Sequence, residues 1–299
     1  MDQTIRLGSR PSKLALIQAE MVKSQLLKQF PKLNIQIIPI ATQGDQDQIS
    51  SLRQLGGKGV FIKSLEQALI KREIDAAVHS FKDITAQIEE QTQLTAFLKP
   101  EAIEDCLILA NKQNISDLNS LPEGSIIATS SMRRQLLLST YYPHLKTKEI
   151  RGNVETRIKK CQEGYADAVM LSKAGVIRLG LENDISETLQ AKHFLPAPGQ
   201  GVIAIQSHKD DVCNHYLEAI SHPDQSIISR LEFLFLESVG LDCNYPLGLL
   251  ISVHEKKVNI SIKWASTDMS SLQEHVSECM LNEADEYVRH CAEIIKKSL

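Results

Sequence analysis

Short apolar runs alternate along the chain with longer stripes in which every third or fourth position is apolar, a pattern that predicts an α/β protein. Residues 4–8 read as a strand. Ser12 then stands where a helix cap is wanted, ahead of the stripe Ala15, Ala19, Val22, Leu26 and Phe30. Residues 33–41 read as the next strand. A glycine-rich turn, Gly56-Gly57-Lys58-Gly59, precedes a helical run over 60–72. Ala76-Ala77-Val78-His79 reads as a buried strand running into Ser80-Phe81-Lys82-Asp83. The plan recurs: residues 125–129 as a strand, Ser130 to Arg134 opening a helix, another helix from about Asn153, and a buried strand over 167–171. Asp75-Ala76 and Asp167-Ala168 each lie just before an apolar run ending in Ser80 or Ser172. Alone, such an echo is more often coincidence than duplication. Lys99-Pro100 and Pro196-Ala197-Pro198-Gly199-Gln200-Gly201 read as hinges, the composition shifts again between His222 and Pro223, and a helical run over 283–297 follows. Two α/β units joined by two short linkers are expected to form a cleft, a common place for ligands.

A chain of 299 residues has room for about two or three domains. Its 42% hydrophobic and 23% charged residues fit a folded globular protein. A net charge of -4 and 5% aromatics disfavour a nucleic-acid binder. The local balance says more. Residues 129–178 hold ten Lys or Arg against four acids, a basic segment suited to a small polyanion. The opening MDQTIRLGSR lacks the apolar region of a signal peptide, and no apolar stretch approaches the roughly 20 residues that span a bilayer. Six scattered cysteines with no C-x-x-C pair resemble neither a zinc site nor a disulfide framework. A cytoplasmic chain with free thiols and no metal is expected.

Lys82-Asp83 stands where a buried strand meets a loop, the end at which open α/β sheets bind ligands. A carboxylate there can stabilise a developing cation or move a proton, or simply cap the next element. Thr129, Ser130 and Ser131 ahead of Arg133 and Arg134 offer hydroxyls, N–H groups and guanidiniums at a helix start, a combination that suits carboxylates or phosphates. Arg151, Asn153 and Arg157 repeat the theme, and Arg178 adds a cation. Any single one of these arginines is usually a surface pair. The turn at 56–59 lacks the spacing of a phosphate loop, and Gly199-Gln200-Gly201 is no dinucleotide fingerprint. Cys243 lies among turn-formers, where a thiol can be exposed, but its spacing alone does not set it apart. His79 and His193 could be acid/base groups; a lone His beside a strand is more often structural.

In order, the blocks Ser9-Arg10-Pro11-Ser12-Lys13-Leu14-Ala15, Gly56-Gly57-Lys58-Gly59-Val60-Phe61, His79-Ser80-Phe81-Lys82-Asp83, Ala128-Thr129-Ser130-Ser131-Met132-Arg133-Arg134, Arg151-Gly152-Asn153-Val154-Glu155-Thr156-Arg157 and Leu195-Pro196-Ala197-Pro198-Gly199-Gln200-Gly201, with Cys243 and Pro246, resemble the porphobilinogen deaminase (hydroxymethylbilane synthase) family. They span almost the whole chain. The resemblance implies two α/β domains like the halves of a type II periplasmic binding protein, with a cleft between them, and a smaller C-terminal α+β domain carrying the cofactor. It implies a discontinuous first domain over 1–98 and 199–217, a second over 99–198 and a third over 218–299.

The implied activity is that of a transferase of tetrapyrrole and heme biosynthesis. Four porphobilinogen molecules join head to tail with loss of ammonia on a dipyrromethane cofactor bound to Cys243 by a thioether, and hydrolysis releases hydroxymethylbilane. In the roles so implied, Asp83 and Lys82 are catalytic. The same two, with Ser80, Thr129, Ser131, Arg133, Arg134 and Arg157, hold the cofactor. Arg10, Ser12, Lys58, Phe61, Arg151, Arg178 and Gln200 hold substrate. A monomer is implied, with no nucleic-acid or membrane partner. The chain departs from the family pattern at Gln54, where lysine is frequent, at Glu104, where arginine often precedes Asp105, at Thr85, and at Leu241-Asp242, which replaces a glycine pair. The rival reading is a non-catalytic two-lobed binding protein for a small polycarboxylate; a phosphate-ligand enzyme would need a nucleotide motif that the chain lacks.

Overall fold

The computed structural model describes residues 4–41, 60–111, 116–240, 245–266 and 271–298, with the backbone alone for 60 and 61. The chain runs β1 (Thr4–Ser9), α1 (Lys13–Gln29), β2 (Asn34–Pro39), α2 (Val60–Ile70), β3 (Ala76–Ser80), β4 (Thr92–Phe97) and β5 (Asp105–Leu109). It continues through β6 (Ile126–Ala128), α3 (Met132–Tyr141), β7 (Lys146–Lys148), α4 (Val154–Lys160), β8 (Ala168–Ser172), α5 (Lys173–Arg178) and β9 (Glu187–Thr188). The remainder is β10 (Ile203–His208), α6 (Asn214–Ala219), α7 (Pro223–Val239), β11 (Leu247–His254), β12 (Lys257–Ala265), β13 (Leu272–Met280) and α8 (Ala284–Lys297). It divides into two compact units: Met1–Pro100 with Val202–Arg230, and Glu101–Gly201 with Leu231–Leu299.

In the first unit the sheet order is β2-β1-β3-β10-β4. β1 runs parallel to β2 and β3, whereas β10 is antiparallel to β3 and β4. Ser12 caps α1 as its spacing predicts, accepting from the Ala15 N–H at 3.4 Å. The expected apolar stripe is buried against β1 and its neighbours through Ala19, Val22 and Leu26, packed with Ile5, Leu7, Ile35, Val78 and Ile203. Phe30 ends the helix and meets Tyr216 edge to face at 4.9 Å.

The second unit repeats the order as β7-β6-β8-β5-β9: three parallel strands, then an antiparallel strand, then an edge. The sequence echo has a structural cause. Asp75 donates its N–H to Arg6 O and accepts the Arg6 N–H at Oδ2, 2.7 Å away. Asp167 does the same with Ile126, again at 2.7 Å. Each aspartate clamps a residue in the first half of the neighbouring parallel strand, fixing the register in which the next apolar run is buried. The second unit also contains the antiparallel sheet β11-β12-β13. Helix α8 buries Ala284, Val288, Cys291, Ala292 and Ile295, one stripe at helical spacing. Among the described residues no helix is long and apolar enough to cross a membrane.

Candidate functional site

In the first unit the site residues gather where β1 and β3, adjacent and parallel, both end. β3 stops at Ser80 and passes into a single 3-10 turn, Phe81–Asp83. The turn is pinned on both sides. The Phe81 N–H donates to Val202 O at 3.0 Å, its ring meets Phe97 edge to face, and Ile84 is buried beyond it. With Phe81 and Ile84 drawn inward, Lys82 and Asp83 between them stay half-buried at the strand's carboxyl end. Arg10 follows β1 directly, and the Ser12 hydroxyl is used as the α1 cap. Ser80 Oγ is engaged by Gln18, a buried α1 side chain the sequence reading passed over. Burial pushes His79 down to about 4, Gln206 and Asp83 act to raise it, and Arg10 lowers it further. The imidazole is therefore neutral at physiological pH, and the charges of Arg10 and Asp83 both reach it.

In the second unit the corresponding strand ends carry Thr129, Ser131, Arg133 and Arg134. Thr129 is buried, and its hydroxyl accepts from the Ser131 N–H at 3.2 Å. Ser131 caps α3, accepting from the Arg134 N–H. Two cations in the first turn of a helix oppose its dipole. Here the opposition is met by Asp105, the first residue of β5, which pairs in register with Ser172 at the carboxyl end of β8. Arg134 Nη2 donates to Asp105 Oδ1 at 2.8 Å, and Arg133 Nη2 lies 2.8 Å from Oδ2. Arg134 Nη1 also donates to Met170 O, and Arg133 Nη1 to Leu195 O. Gln200 Nε2 donates to Asp105 Oδ1 at 2.9 Å and to Ile103 O at 2.7 Å. Burial alone would raise the Asp105 pKa, but the two guanidiniums outweigh it and hold the group well below the usual carboxylate range. The sequence reading gave Asp105 no role; a lone acid between Glu104 and an apolar run carries no spacing signal.

The other predicted arginines are placed differently. Arg151 pairs with Glu149 through Nε and Nη2, at 2.9 and 2.7 Å. Arg157 Nε donates to Gly152 O, just before the Asn153 cap of α4. Arg178 Nη2 donates to Gly201 O at 2.6 Å. Gly201 has φ +86°, and a Cβ there would lie 2.2 Å from Ala102 O, so only glycine fits this crossing. Lys58 and Cys243 lie outside the described residues, as do Gln54, Leu241 and Asp242; α2 includes Phe61, whose side chain is outside them too. In the five described cysteines burial raises every thiol, Cys106 to about 12 and Cys161 to about 11. None of the five is poised as a thiolate at neutral pH.

A family model described as "Porphobilinogen deaminase, dipyromethane cofactor binding domain" matches residues 5–215. A porphobilinogen deaminase of Buchnera aphidicola subsp. Acyrthosiphon pisum (strain Tuc7) is 39% identical over 258 residues, covering 86% of this chain and 81% of the relative. One of Dichelobacter nodosus is 35% identical, covering 98% of this chain and 95% of its own, and one of Nostoc sp. is 34% identical, covering 99% and 92%. Among solved structures, the BenM effector binding domain with benzoate aligns at a TM-score of 0.44 and 17% identity, covering 78% of this chain and 95% of that one. The match to the family model across most of the chain, with relatives of this identity along nearly its full length, establishes that the chain belongs to the porphobilinogen deaminase family.

Proposed function

We propose that the chain condenses four porphobilinogen molecules head to tail, releasing four ammonia molecules, and frees the linear tetrapyrrole hydroxymethylbilane by addition of water. The observation that carries this reading is the turn Phe81–Asp83, which holds a half-buried lysine–aspartate pair at the carboxyl end of a parallel strand. In the proposed roles, Asp83 accepts pyrrole N–H groups and stabilises the positive charge left when ammonia departs. Lys82 sits beside it, where its ammonium can pair with an acetate or propionate or hand a proton to the leaving amine. The neutral His79 adds no competing positive charge behind Asp83.

The residues present fit a dipyrromethane group. Arg133 and Arg134 are buried and share one carboxylate, Asp105, and the excess of positive charge suits an anionic group rather than a neutral one. Such a group, bound through Cys243, supplies the free pyrrole carbon on which the product grows. Of this chain's own residues, Thr129 and Ser131 would orient the group, and Arg133, Arg134 and Arg157 would neutralise its carboxylates. Arg10, Ser12, Lys58, Phe61, Arg151, Arg178 and Gln200 would hold the incoming substrate. The depressed reactivity of the five described thiols supports Cys243 as the attachment point. Three domains, over 1–98 with 199–217, 99–198 and 218–299, a monomer and a cytoplasmic location complete the reading.

Purified protein supplied with porphobilinogen should release one ammonia for each pyrrole consumed and accumulate hydroxymethylbilane. Consumption without ammonia, or binding without consumption, would leave the non-catalytic polycarboxylate-binding module, which the family membership disfavours.

A further inference from the structure

Asp105 is fully buried and serves two guanidiniums at once. Replacing a buried ion cluster with apolar groups is often neutral or stabilising, so stability alone is a weak reason for such a cluster. Here one carboxylate faces Arg133 and Arg134, each more than nine-tenths buried, so the cluster retains a net positive charge. Among the described residues the buried Nε atoms of both arginines have no acceptor, so neither guanidinium is fully satisfied within the cluster. Arg133 Nη2 lies 2.8 Å from Oδ2 and Arg134 Nη2 the same distance from Oδ1, so both carboxylate oxygens are taken up by the two guanidiniums. The third partner, Gln200, is neutral and binds the same oxygen as Arg134. It therefore fixes the carboxylate without cancelling any of the excess charge.

We propose that Asp105 is a positioning residue: it holds Arg133 and Arg134 side by side as an undercompensated pair of cations that receives a carboxylate of the pyrrole-bearing ligand. This rests on the function proposed above. Without Asp105 the two like charges repel, and among the described residues each keeps a backbone carbonyl as its hydrogen-bond partner, at Leu195 and Met170. A buried carboxylate of the ligand would then meet a mobile pair instead of a fixed one, at a cost in preorganisation.

The test is Asp105→Asn and Asp105→Glu in the full-length chain as purified from a porphobilinogen-producing host. It reads adduct-bearing fraction by intact mass, KM against kcat, and melting. The expected result is a cooperatively folded D105N with a clearly reduced adduct-bearing fraction and a KM raised by roughly 30-fold. D105E, which restores the charge one methylene further out, should recover part of both. Wild-type loading and KM in D105N would overturn the proposal. So would a D105E no better loaded than a folded D105N, or unfolding of both variants, since either assigns Asp105 to packing alone. A wild-type chain with neither adduct nor turnover would instead remove the functional reading, and this inference with it.

Discussion

Ser80 Oγ accepts a hydrogen bond from Gln18 Nε2 at 2.8 Å and donates to Gln18 Oε1 at 3.1 Å. The serine ends β3, and the glutamine lies on the buried stripe of α1, between Ala15 and Val22. The pair ties the helix to the strand end that presents Lys82 and Asp83. It also makes Ser80 first a structural hydroxyl, whatever it later offers a ligand.

A double-mutant cycle follows from that pair. Gln18→Ala and Ser80→Ala should each destabilise the protein, and the double variant should cost less than their sum by about 0.5–1.5 kcal/mol. Urea denaturation measures all four forms. Simple additivity would mean that the two side chains do not support one another.

Asp83→Ala should lower turnover by at least about 100-fold, because both charge stabilisation and proton handling are assigned to that carboxylate. Being half-buried, Asp83 should leave the melting temperature nearly unchanged. Steady-state assays beside thermal melts separate the two effects. Wild-type rates in the variant would remove Asp83 from its role.

The arginines should sort by partner. Arg151, paired with the exposed Glu149, should cost no more than about 1 kcal/mol of stability when changed to Ala, while KM rises. Arg134→Met strips a buried carboxylate of a partner and should cost about 3–5 kcal/mol. Equal melting shifts for the two would contradict the burial difference on which this rests.

Stability should vary with pH through two buried groups of opposite sign. Burial pushes Glu232 up to about 8, and a hydrogen bond from the Gly199 N–H offsets that only in part. The folded state therefore holds this proton more tightly than the unfolded chain, and the resulting stability fades as pH rises from about 4.5 through 8. Burial likewise drives His79 down to about 4, so its contribution is full above about 6.5 and is lost as pH falls through that interval. Between about 4.5 and 6.5 the two slopes oppose each other, and above 6.5 the Glu232 slope stands alone. Denaturation at pH 6.5 and 8 should show a loss that Glu232→Gln largely removes. An unchanged loss in that variant would place its origin elsewhere.

Much of the fold was legible because periodicity reports burial directly. Ser12 and the stripe Ala15, Ala19, Val22 and Leu26 foretold α1 and its buried face, and Ala76 to His79 foretold a fully buried strand. The duplicated sheet was foreshadowed by the recurring strand–helix plan and by Asp75 and Asp167, an echo too short to distinguish from chance until their identical clamps on β1 and β6 are seen. At the site, hydroxyls and arginines at strand ends could be recognised by residue type. Their partners could not. Asp105 is brought to Arg133 and Arg134 by the antiparallel pairing of β5 with β8, and Gln18 reaches Ser80 across 62 positions. Such long-range neighbours leave no local spacing to read.

Intact mass of the full-length protein, followed by peptide mapping, tests the central claim most directly. Protein from a porphobilinogen-replete host should carry the added mass of two linked pyrroles, on the peptide containing Cys243 and sensitive to aldehyde reagents for pyrroles. An unmodified chain, or an adduct mapped to any of the other five cysteines, would contradict it.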